Sequence, residues 1–283
     1  MNQLLKRTIS GALFAALMLA GVLINEFTFL GLMSAVLVCA NVEFYRMTVP
    51  GRHRAGKVCI IAAELAFFVT AFCCVRFGLD TAWLIPCLIP VLAALILMLA
   101  SSGEEYDFDA AVFFPLLYIA FPIVCSLFVA FPFSHIYSRA ILISLLIMIW
   151  MNDIGAYLIG MAFGQKEGSR KLCPRLSPKK SWAGVAGGTL FTFLAALCLA
   201  PYFGPQPFSG HIPAWAWWAL ALIICVLGVT GDLFESLIKR RAGVKDSGNL
   251  IPGHGGVLDR FDDVLFILPA AAALIRFVQI FNV

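Results

Sequence analysis

The sequence has few charged residues for its length. Charged residues make up 13% of its 283 positions and hydrophobic residues 61%. Soluble domains, by contrast, contain about 25% charged and about 45–50% apolar residues. This shortage of charge excludes an ordinary soluble domain and indicates an integral membrane protein. The chain also contains no internal repeat and no low-complexity tract.

Several common catalytic motifs are missing as well. There is no GxxxxGK[ST] loop, no HExxH pair and no GxSxG elbow, which argues against a P-loop ATPase, a zinc protease of the HExxH type and a serine hydrolase. The nine cysteines include no CxxC pair and no Cys/His zinc spacing. Most of them lie in apolar runs, where cysteine behaves as a small hydrophobe. We therefore expect neither a structural disulfide nor a zinc site.

Long apolar runs occupy most of the chain. A helix needs about 20 mostly apolar residues to span a bilayer. Candidate spans of this length lie at about residues 8–25, 27–46, 58–77, 80–100, 110–131, 139–162, 183–201, 213–230 and 263–281. The fourth and fifth contain Pro86, Pro90, Pro115 and Pro122, which predict kinked helices. We predict an all-α, polytopic membrane protein with about nine transmembrane helices.

The basic residues indicate the orientation of these helices. If the N-terminus lies in the cytoplasm, all 20 Lys and Arg residues except Arg76, Arg139 and Arg276 fall on the cytoplasmic side. This bias predicts a cytoplasmic N-terminus and an external C-terminus. Lys6 and Arg7 before an apolar run imitate a signal peptide, but no A-x-A cleavage site follows them, so we interpret this run as an uncleaved first helix.

The first unusual polar stretch covers residues 152–188. Asp153 follows the apolar run ILISLLIMIW, and a carboxylate at membrane depth is costly unless it is paired or bound to a cation. Either a helix–helix hydrogen bond or a polar patch facing a cavity would account for Asp153 at this position. Ser177, Lys179 and Lys180 precede a glycine-rich helix start, which favours an anion site. A positive-inside bias alone also explains such a basic loop.

The second polar stretch, residues 231–263, mixes acidic and basic residues with glycines. Its charged residues are Asp232, Glu235, Lys239, Arg240, Arg241, Lys245, Asp246, Asp259, Arg260, Asp262 and Asp263. Their spacing places acids on one face of each of two helices, where carboxylates could meet around hard divalent cations. Gly253, Gly255 and Gly256 let backbone N–H groups approach an anion. The combination predicts a site where carboxylates hold Mg²⁺ and basic groups neutralise phosphate.

Two features have open alternatives. His254 lies between the glycines of the second stretch, so it either contacts phosphate, transfers a proton or fixes the loop. The loop at residues 101–109 is acidic, so it could bind a cation, although a solvated loop is the simpler interpretation.

The run SLIKRRAGVKDSGNLIPGHGGVLDRFD closely resembles the signature of the phosphatidate cytidylyltransferases, also called CDP-diacylglycerol synthases. That signature joins S-x-x-K-R, K-D, H-G-G and D-R-x-D at fixed spacing. The corresponding residues are Ser236, Lys239 and Arg240; Lys245 and Asp246; His254, Gly255 and Gly256; and Asp259, Arg260 and Asp262. The chain length, the upstream GDL segment and the SPKKSW segment also look like bacterial members. Such members often carry a small residue where this chain has Asn152, so the role of Asn152 stays open.

The resemblance implies a reaction and a set of functional residues. CTP and phosphatidic acid would give CDP-diacylglycerol and pyrophosphate at the inner (cell) membrane. Asp232 and Asp259 look like the metal-holding pair, with Mg²⁺ and K⁺ as a candidate second ion. The other catalytic residues implied are Lys239, Arg240, Lys245, Asp246, His254, Arg260 and Asp262. The residues implied to complete the nucleotide or lipid-phosphate site are Asp153, Ser177, Lys179, Lys180, Gly255 and Gly256. The implied partners are CTP, phosphatidic acid, the bilayer and a second copy of the chain, with no nucleic acid.

Two other functions fit parts of the sequence. A CDP-alcohol phosphatidyltransferase is disfavoured because its D-G-x-x-A-R…G…D…D pattern is absent. A transporter for an anionic solute would use Asp153 and the proline-broken spans, but charge concentrated on one face favours surface chemistry.

We divide the chain into N-terminal transmembrane helices, 1–135, and a catalytic region, 136–283, whose site faces the cytoplasm.

Overall fold

Helices make up most of the computed structural model, which describes residues 3–101, 109–132, 135–203 and 212–281. The α-helices are α1 (Gln3–Leu23), α2 (Glu26–Thr48), α3 (Arg54–Phe77), α4 (Ile89–Ser101), α5 (Phe121–Ala130), α6 (Arg139–Phe163), α7 (Trp182–Phe203), α8 (Ala214–Arg241) and α9 (Leu258–Phe281). In these ranges, eight segments are long and apolar enough to cross a membrane, and Thr8–Leu23 is a shorter apolar helix. The predicted helical, polytopic membrane protein is confirmed. Most of the predicted acidic loop at 101–109 lies outside the described residues.

The fourth and fifth spans are interrupted, as their prolines predict. Two 3₁₀ turns, Thr81–Leu84 and Pro86–Leu88, lead into α4. A 3₁₀ turn, Ala110–Val112, and a π-helical turn, Leu116–Ala120, lead into α5. Proline has no N–H to donate to the preceding turn, and short 3₁₀ and π segments absorb the resulting break in the hydrogen-bond ladder.

The last two helices are longer than their predicted spans. Helix α8 continues from the apolar run to Arg241, and α9 begins at Leu258. Apolar content alone locates only the membrane-spanning part, whereas the backbone ladder continues into the polar residues that flank it. As a result, the acidic residues of both polar stretches lie on helices, apart from Glu167 and Asp246.

A small hairpin precedes α7 and was not predicted. Strand β1 (Lys171–Cys173) pairs antiparallel with β2 (Ser177–Ser181), and Lys171 lies opposite Ser181. The hydroxyl of Ser181 accepts a hydrogen bond from the Gly184 N–H at 3.2 Å, which caps the first turn of α7. The hairpin therefore fixes the basic residues of β2 directly before a helix N-terminus.

Backbone contacts divide the chain into two compact units. Unit 1 contains Met1–Leu127 and Asp246–Arg260, and unit 2 contains Phe128–Lys245 and Phe261–Val283. The core of unit 1 includes the fully buried side chains of Leu37, Ile60, Phe68 and Phe72, and that of unit 2 includes Met148 and Ile224. The division predicted from the sequence, at residue 135, separates N-terminal helices from a catalytic region. It is a functional division and stays a prediction.

Helices α6 and α7 of unit 2 pack at backbone distance because glycines face each other. A Cβ atom on Gly187 would lie 2.4 Å from the Cβ of Ile159 and 2.5 Å from the carbonyl oxygen of Gly155. A Cβ on Gly188 would lie 2.1 Å from Oδ1 of Asn152. Small residues allow such close approach between membrane helices.

Gly187→Ala is expected to destabilise unit 2, because the new methyl group forces α6 and α7 apart. Overpacking of this kind costs about 1–3 kcal/mol, and it should appear as a lower melting temperature of the detergent-solubilised protein. Gly31→Ala on α2 is the matched control, since a Cβ there meets nothing within 4 Å. Equal melting temperatures for the two variants would contradict the packing described.

Candidate active site

Many of the predicted functional residues lie in two groups of polar side chains, one in each compact unit. The carboxylate cluster of unit 2 contains Asp153, Asp232, Asp262 and Asp263. The Asp259 network of unit 1 contains Glu43, Ser247, Gly255, Gly256 and Asp259.

Helices α6, α8 and α9 carry the carboxylate cluster. A Cβ atom on Gly231 would lie 2.4 Å from the carbonyl oxygen of Asp262, so α8 and α9 approach closely next to Asp232. Asp263 interacts electrostatically with Asp153, Asp232 and Asp262, and Asp262 interacts with Asp232. Neighbouring like charges destabilise one another unless cations compensate them.

Two lysines accompany this cluster. Lys180 on β2 forms an ion pair with Asp232, and both Lys180 and Lys239 interact electrostatically with Asp262. Lys239 forms a second ion pair with Glu235, whose side chain is fully buried. Lys239 therefore interacts both with Glu235 and with Asp262 of the cluster.

The donor chemistry of the cluster fits a hard divalent cation. Carboxylate oxygens are the ligands that Mg²⁺ prefers in proteins, usually together with substrate phosphates and water. Among the described residues, no three or more His, Cys, Asp or Glu side chains are arranged to hold a metal ion. The ammonium group of Lys180 instead supplies the positive charge beside Asp232. The residues fit Mg²⁺ by their chemistry, and the predicted ion stays a prediction.

In unit 1, the segment before α9 wraps around the carboxylate of Asp259. Its Oδ2 accepts hydrogen bonds from the Ser247 N–H at 2.9 Å and the Gly256 N–H at 2.8 Å. Gly255 adopts φ +89°, and a Cβ there would lie 2.6 Å from the same oxygen. The glycines thus let the backbone present N–H groups to an anion, which in this structure is the Asp259 side chain.

Glu43 belongs to this network but is distant in sequence and was not predicted. It lies on α2, and its side chain is buried. Its carboxylate accepts hydrogen bonds from the Val257 N–H at 2.9 Å, the Leu258 N–H at 2.8 Å and the Ser247 hydroxyl at 3.1 Å. A carboxylate inside the predicted span 27–46 was the signal that could have identified it.

His254 contacts the first helix. Its Nδ1 lies 2.9 Å from the Ser10 hydroxyl, which donates to the Pro252 carbonyl oxygen at 2.8 Å. The imidazole also packs against Gly11, where a Cβ would lie 3.2 Å from Cε1. This geometry favours the loop-fixing alternative, and the catalytic alternatives stay predictions.

The remaining predicted residues are more exposed. Arg240 is exposed and donates to the Val244 carbonyl oxygen at 3.0 Å. Lys179 is exposed, and its carbonyl oxygen accepts from the Gln165 side chain at 2.8 Å. Ser177 is half-buried at the start of β2. The other exposed members of the predicted set are Lys245, Asp246 and Arg260. Their predicted roles stay predictions.

The helices and the two charged groups define a multi-pass membrane protein with acidic and basic side chains concentrated near the ends of its helices. Residues 5–278 match the model of the cytidylyltransferase family. The chain therefore belongs to the cytidylyltransferase family, a family of nucleotidyltransferases.

Three curated relatives are each named phosphatidate cytidylyltransferase. The protein from Staphylococcus epidermidis is 35% identical over 210 residues, which cover 65% of this chain and 77% of that protein. The protein from Pseudomonas aeruginosa is 41% identical over 139 residues, covering 49% of this chain and 48% of that protein. The protein from Haemophilus influenzae is 43% identical over 129 residues, covering 46% and 43%. The matched stretch thus covers about half or less of the Pseudomonas aeruginosa and Haemophilus influenzae proteins.

Proposed function

We propose that this chain is a phosphatidate cytidylyltransferase, which transfers the cytidylyl group of CTP to phosphatidic acid. The family match over residues 5–278, together with relatives of that name, is the observation that carries the proposal. The carboxylate cluster and its lysines are the kind of groups that phosphoryl transfer requires. CDP-diacylglycerol and pyrophosphate are the products.

The reaction needs no nucleophile from the protein. An oxygen of the lipid phosphate attacks the α-phosphorus of CTP, and the bond from that phosphorus to the bridging oxygen of the β-phosphate breaks. Pyrophosphate leaves with the bonding electron pair. Mg²⁺ would neutralise charge on the phosphate oxygens when it is bound. The resemblance assigns it to Asp232 and Asp259, and that assignment rests on the motif.

The basic residues of unit 2 would bind the phosphates. Lys239 forms an ion pair with Glu235, but an ammonium group has three donors, so it can also contact an anion. Lys180 pairs with Asp232, and we propose that it moves its interaction to a phosphate oxygen when a metal ion occupies the carboxylates. The N-terminus of α7 supplies further donors for anions.

We also propose that the protein lies in the cell membrane, with the reaction on its cytoplasmic side. The Lys and Arg bias supports this orientation, and CTP is available there. Phosphatidic acid can reach the site laterally while its acyl chains remain in the lipid. The homodimer that the family resemblance implies is part of the same proposal.

The direct test uses purified protein, phosphatidic acid, Mg²⁺ and CTP labelled with ³²P. Label on the α-phosphate should enter the lipid fraction, whereas label on the γ-phosphate should appear in pyrophosphate. Diacylglycerol, which lacks the attacking phosphate, should give no labelled lipid. Folded wild-type protein that transfers no α-label to phosphatidic acid would contradict the proposal.

A further inference from the structure

Glu43 is a buried carboxylate inside an apolar helix. Its side chain lies on α2, five residues before the helix ends at Thr48, and only 5% of the residue is exposed. Burying a carboxylate is costly unless hydrogen bonds or opposite charges compensate for the lost water. Its hydrogen-bond donors therefore indicate what the residue does.

Within the described part of the chain, the donors of Glu43 come from the segment that leads into α9. The Val257 N–H donates to Oε1, and the Leu258 N–H and the Ser247 hydroxyl donate to Oε2. The first N–H groups of a helix have no partner within the helix, and its N-terminus favours negative charge. The Glu43 carboxylate, which lies on α2, supplies both the missing hydrogen-bond acceptor and the negative charge.

The shape of the segment matches the Glu43 carboxylate. A Cβ atom on Gly248 would lie 2.6 Å from Oε1 of Glu43, and one on Gly256 would lie 2.3 Å from Oε2. No larger residue fits at either position without moving the carboxylate. The glycines of this segment therefore make room for a side chain of the same chain.

Ser247 connects Glu43 to Asp259. Its hydroxyl donates to Glu43 and accepts from the Asp259 N–H at 3.3 Å, while its own N–H donates to Oδ2 of Asp259. Ser247 is itself buried. The position of the Glu43 carboxylate thus determines where Ser247 sits, and Ser247 determines the orientation of Asp259.

We propose that Glu43 is a positioning residue for cytidylyl transfer, which holds Asp259 and the glycine segment before α9 in the orientation that the reaction needs. This inference rests on the proposed function and on the assignment of Asp259 as a metal ligand. Glu43 itself touches neither substrate nor metal, and it acts through Ser247 and the start of α9.

The test compares Glu43→Gln with Glu64→Gln in the full-length protein. Glutamine keeps the size of the side chain but replaces one acceptor oxygen with an amino group, which cannot accept from Leu258 or Ser247. Glu64 on α3 is the matched control because it is also buried, at 2% exposure, and it accepts a hydrogen bond from the Asn41 side chain at 2.5 Å, away from the glycine segment. Both variants remove one buried carboxylate.

Hydrogen–deuterium exchange gives a readout that does not depend on activity. We expect the Val257 and Leu258 amides to exchange about tenfold faster in Glu43→Gln and at the wild-type rate in Glu64→Gln. In the activity assay, kcat should fall about 10–100-fold in Glu43→Gln, as for loss of a group that orients a metal ligand. The Mg²⁺ concentration for half-maximal activity should rise, and the KM for CTP should change less.

Ser247→Ala tests the same connection with a smaller change. It should raise the Mg²⁺ requirement in the same direction, and the double variant should lose little more than Glu43→Gln alone, because both act along one path. If Glu43→Gln does not fold, Ser247→Ala carries the test by itself. Wild-type exchange at Val257 and Leu258, or an unchanged Mg²⁺ requirement with active wild-type enzyme, would overturn the inference. Inactive wild-type protein would instead overturn the proposed function.

Discussion

Asp259→Asn is expected to lower kcat by about 10²–10³-fold, because metal assistance contributes several kcal/mol to such reactions and each 1.36 kcal/mol is a factor of ten. Asparagine retains an oxygen that can accept from the Ser247 and Gly256 N–H groups, which lie 2.9 and 2.8 Å from Oδ2 in the wild type. The glycine segment should therefore keep its shape while the negative charge is lost. The measurement is the rate of CDP-lipid formation from CTP and phosphatidic acid.

Asp80→Asn is the control for this substitution. Asp80 accepts a hydrogen bond from the Ala82 N–H at 2.8 Å at the start of a 3₁₀ turn. It resembles Asp259 because its carboxylate binds a backbone N–H group, but it lies outside the charged motif. Its replacement should leave the rate unchanged. Wild-type turnover in Asp259→Asn would refute the assignment of Asp259 to the metal, and equal losses in both variants would point to a general effect on insertion.

The sequence predicts the helices well because membrane spans depend on local composition. About 20 apolar residues in succession suffice to identify a span, and each predicted span overlaps a helix or a proline-broken helical segment. The helix ends are harder to predict, since polar residues such as those before Arg241 contribute no apolar signal while the backbone ladder continues. The β1–β2 hairpin was missed because short polar strands resemble loops in composition.

The site is predictable only where its residues are neighbours in sequence. The run from Ser236 to Asp262 is contiguous, so its spacing alone identifies the family motif. Glu43 lies 204 residues from Ser247, and no local pattern indicates which segment a buried carboxylate on α2 will contact. The sequence shows only that a carboxylate in an apolar span is energetically costly. That cost predicts that Glu43 has a partner but does not identify the partner.

The contacts of Lys180 illustrate the same limit. Its position before a glycine-rich helix start predicts an anion site, and an anion does lie beside it, but that anion is the side chain of Asp232. A carboxylate of the protein and a phosphate of a substrate present similar oxygens to an ammonium group. In the absence of substrate, such a lysine is stabilised by the acid nearest to it.

Asp232→Asn is expected to reduce kcat by about 10²–10³-fold and to raise the Mg²⁺ concentration needed for half-maximal activity, for the energetic reason given for Asp259. The substitution removes a charge from the carboxylate cluster and leaves Lys180 without the acid that it pairs with. Asp262 and Asp263 remain, so weak metal binding should persist. The measurement is the initial rate of CDP-lipid formation as a function of Mg²⁺ concentration.

Glu167→Gln is the matched control in unit 2, because Glu167 is an exposed carboxylate in the connection between α6 and β1. We expect its kcat and Mg²⁺ requirement to equal those of the wild type. If Asp232→Asn lowers kcat without shifting the Mg²⁺ requirement, Asp232 holds Lys180 in place and does not bind the metal. If neither quantity changes, Asp232 belongs to a structural ion pair, and the metal must be assigned to other carboxylates of the chain.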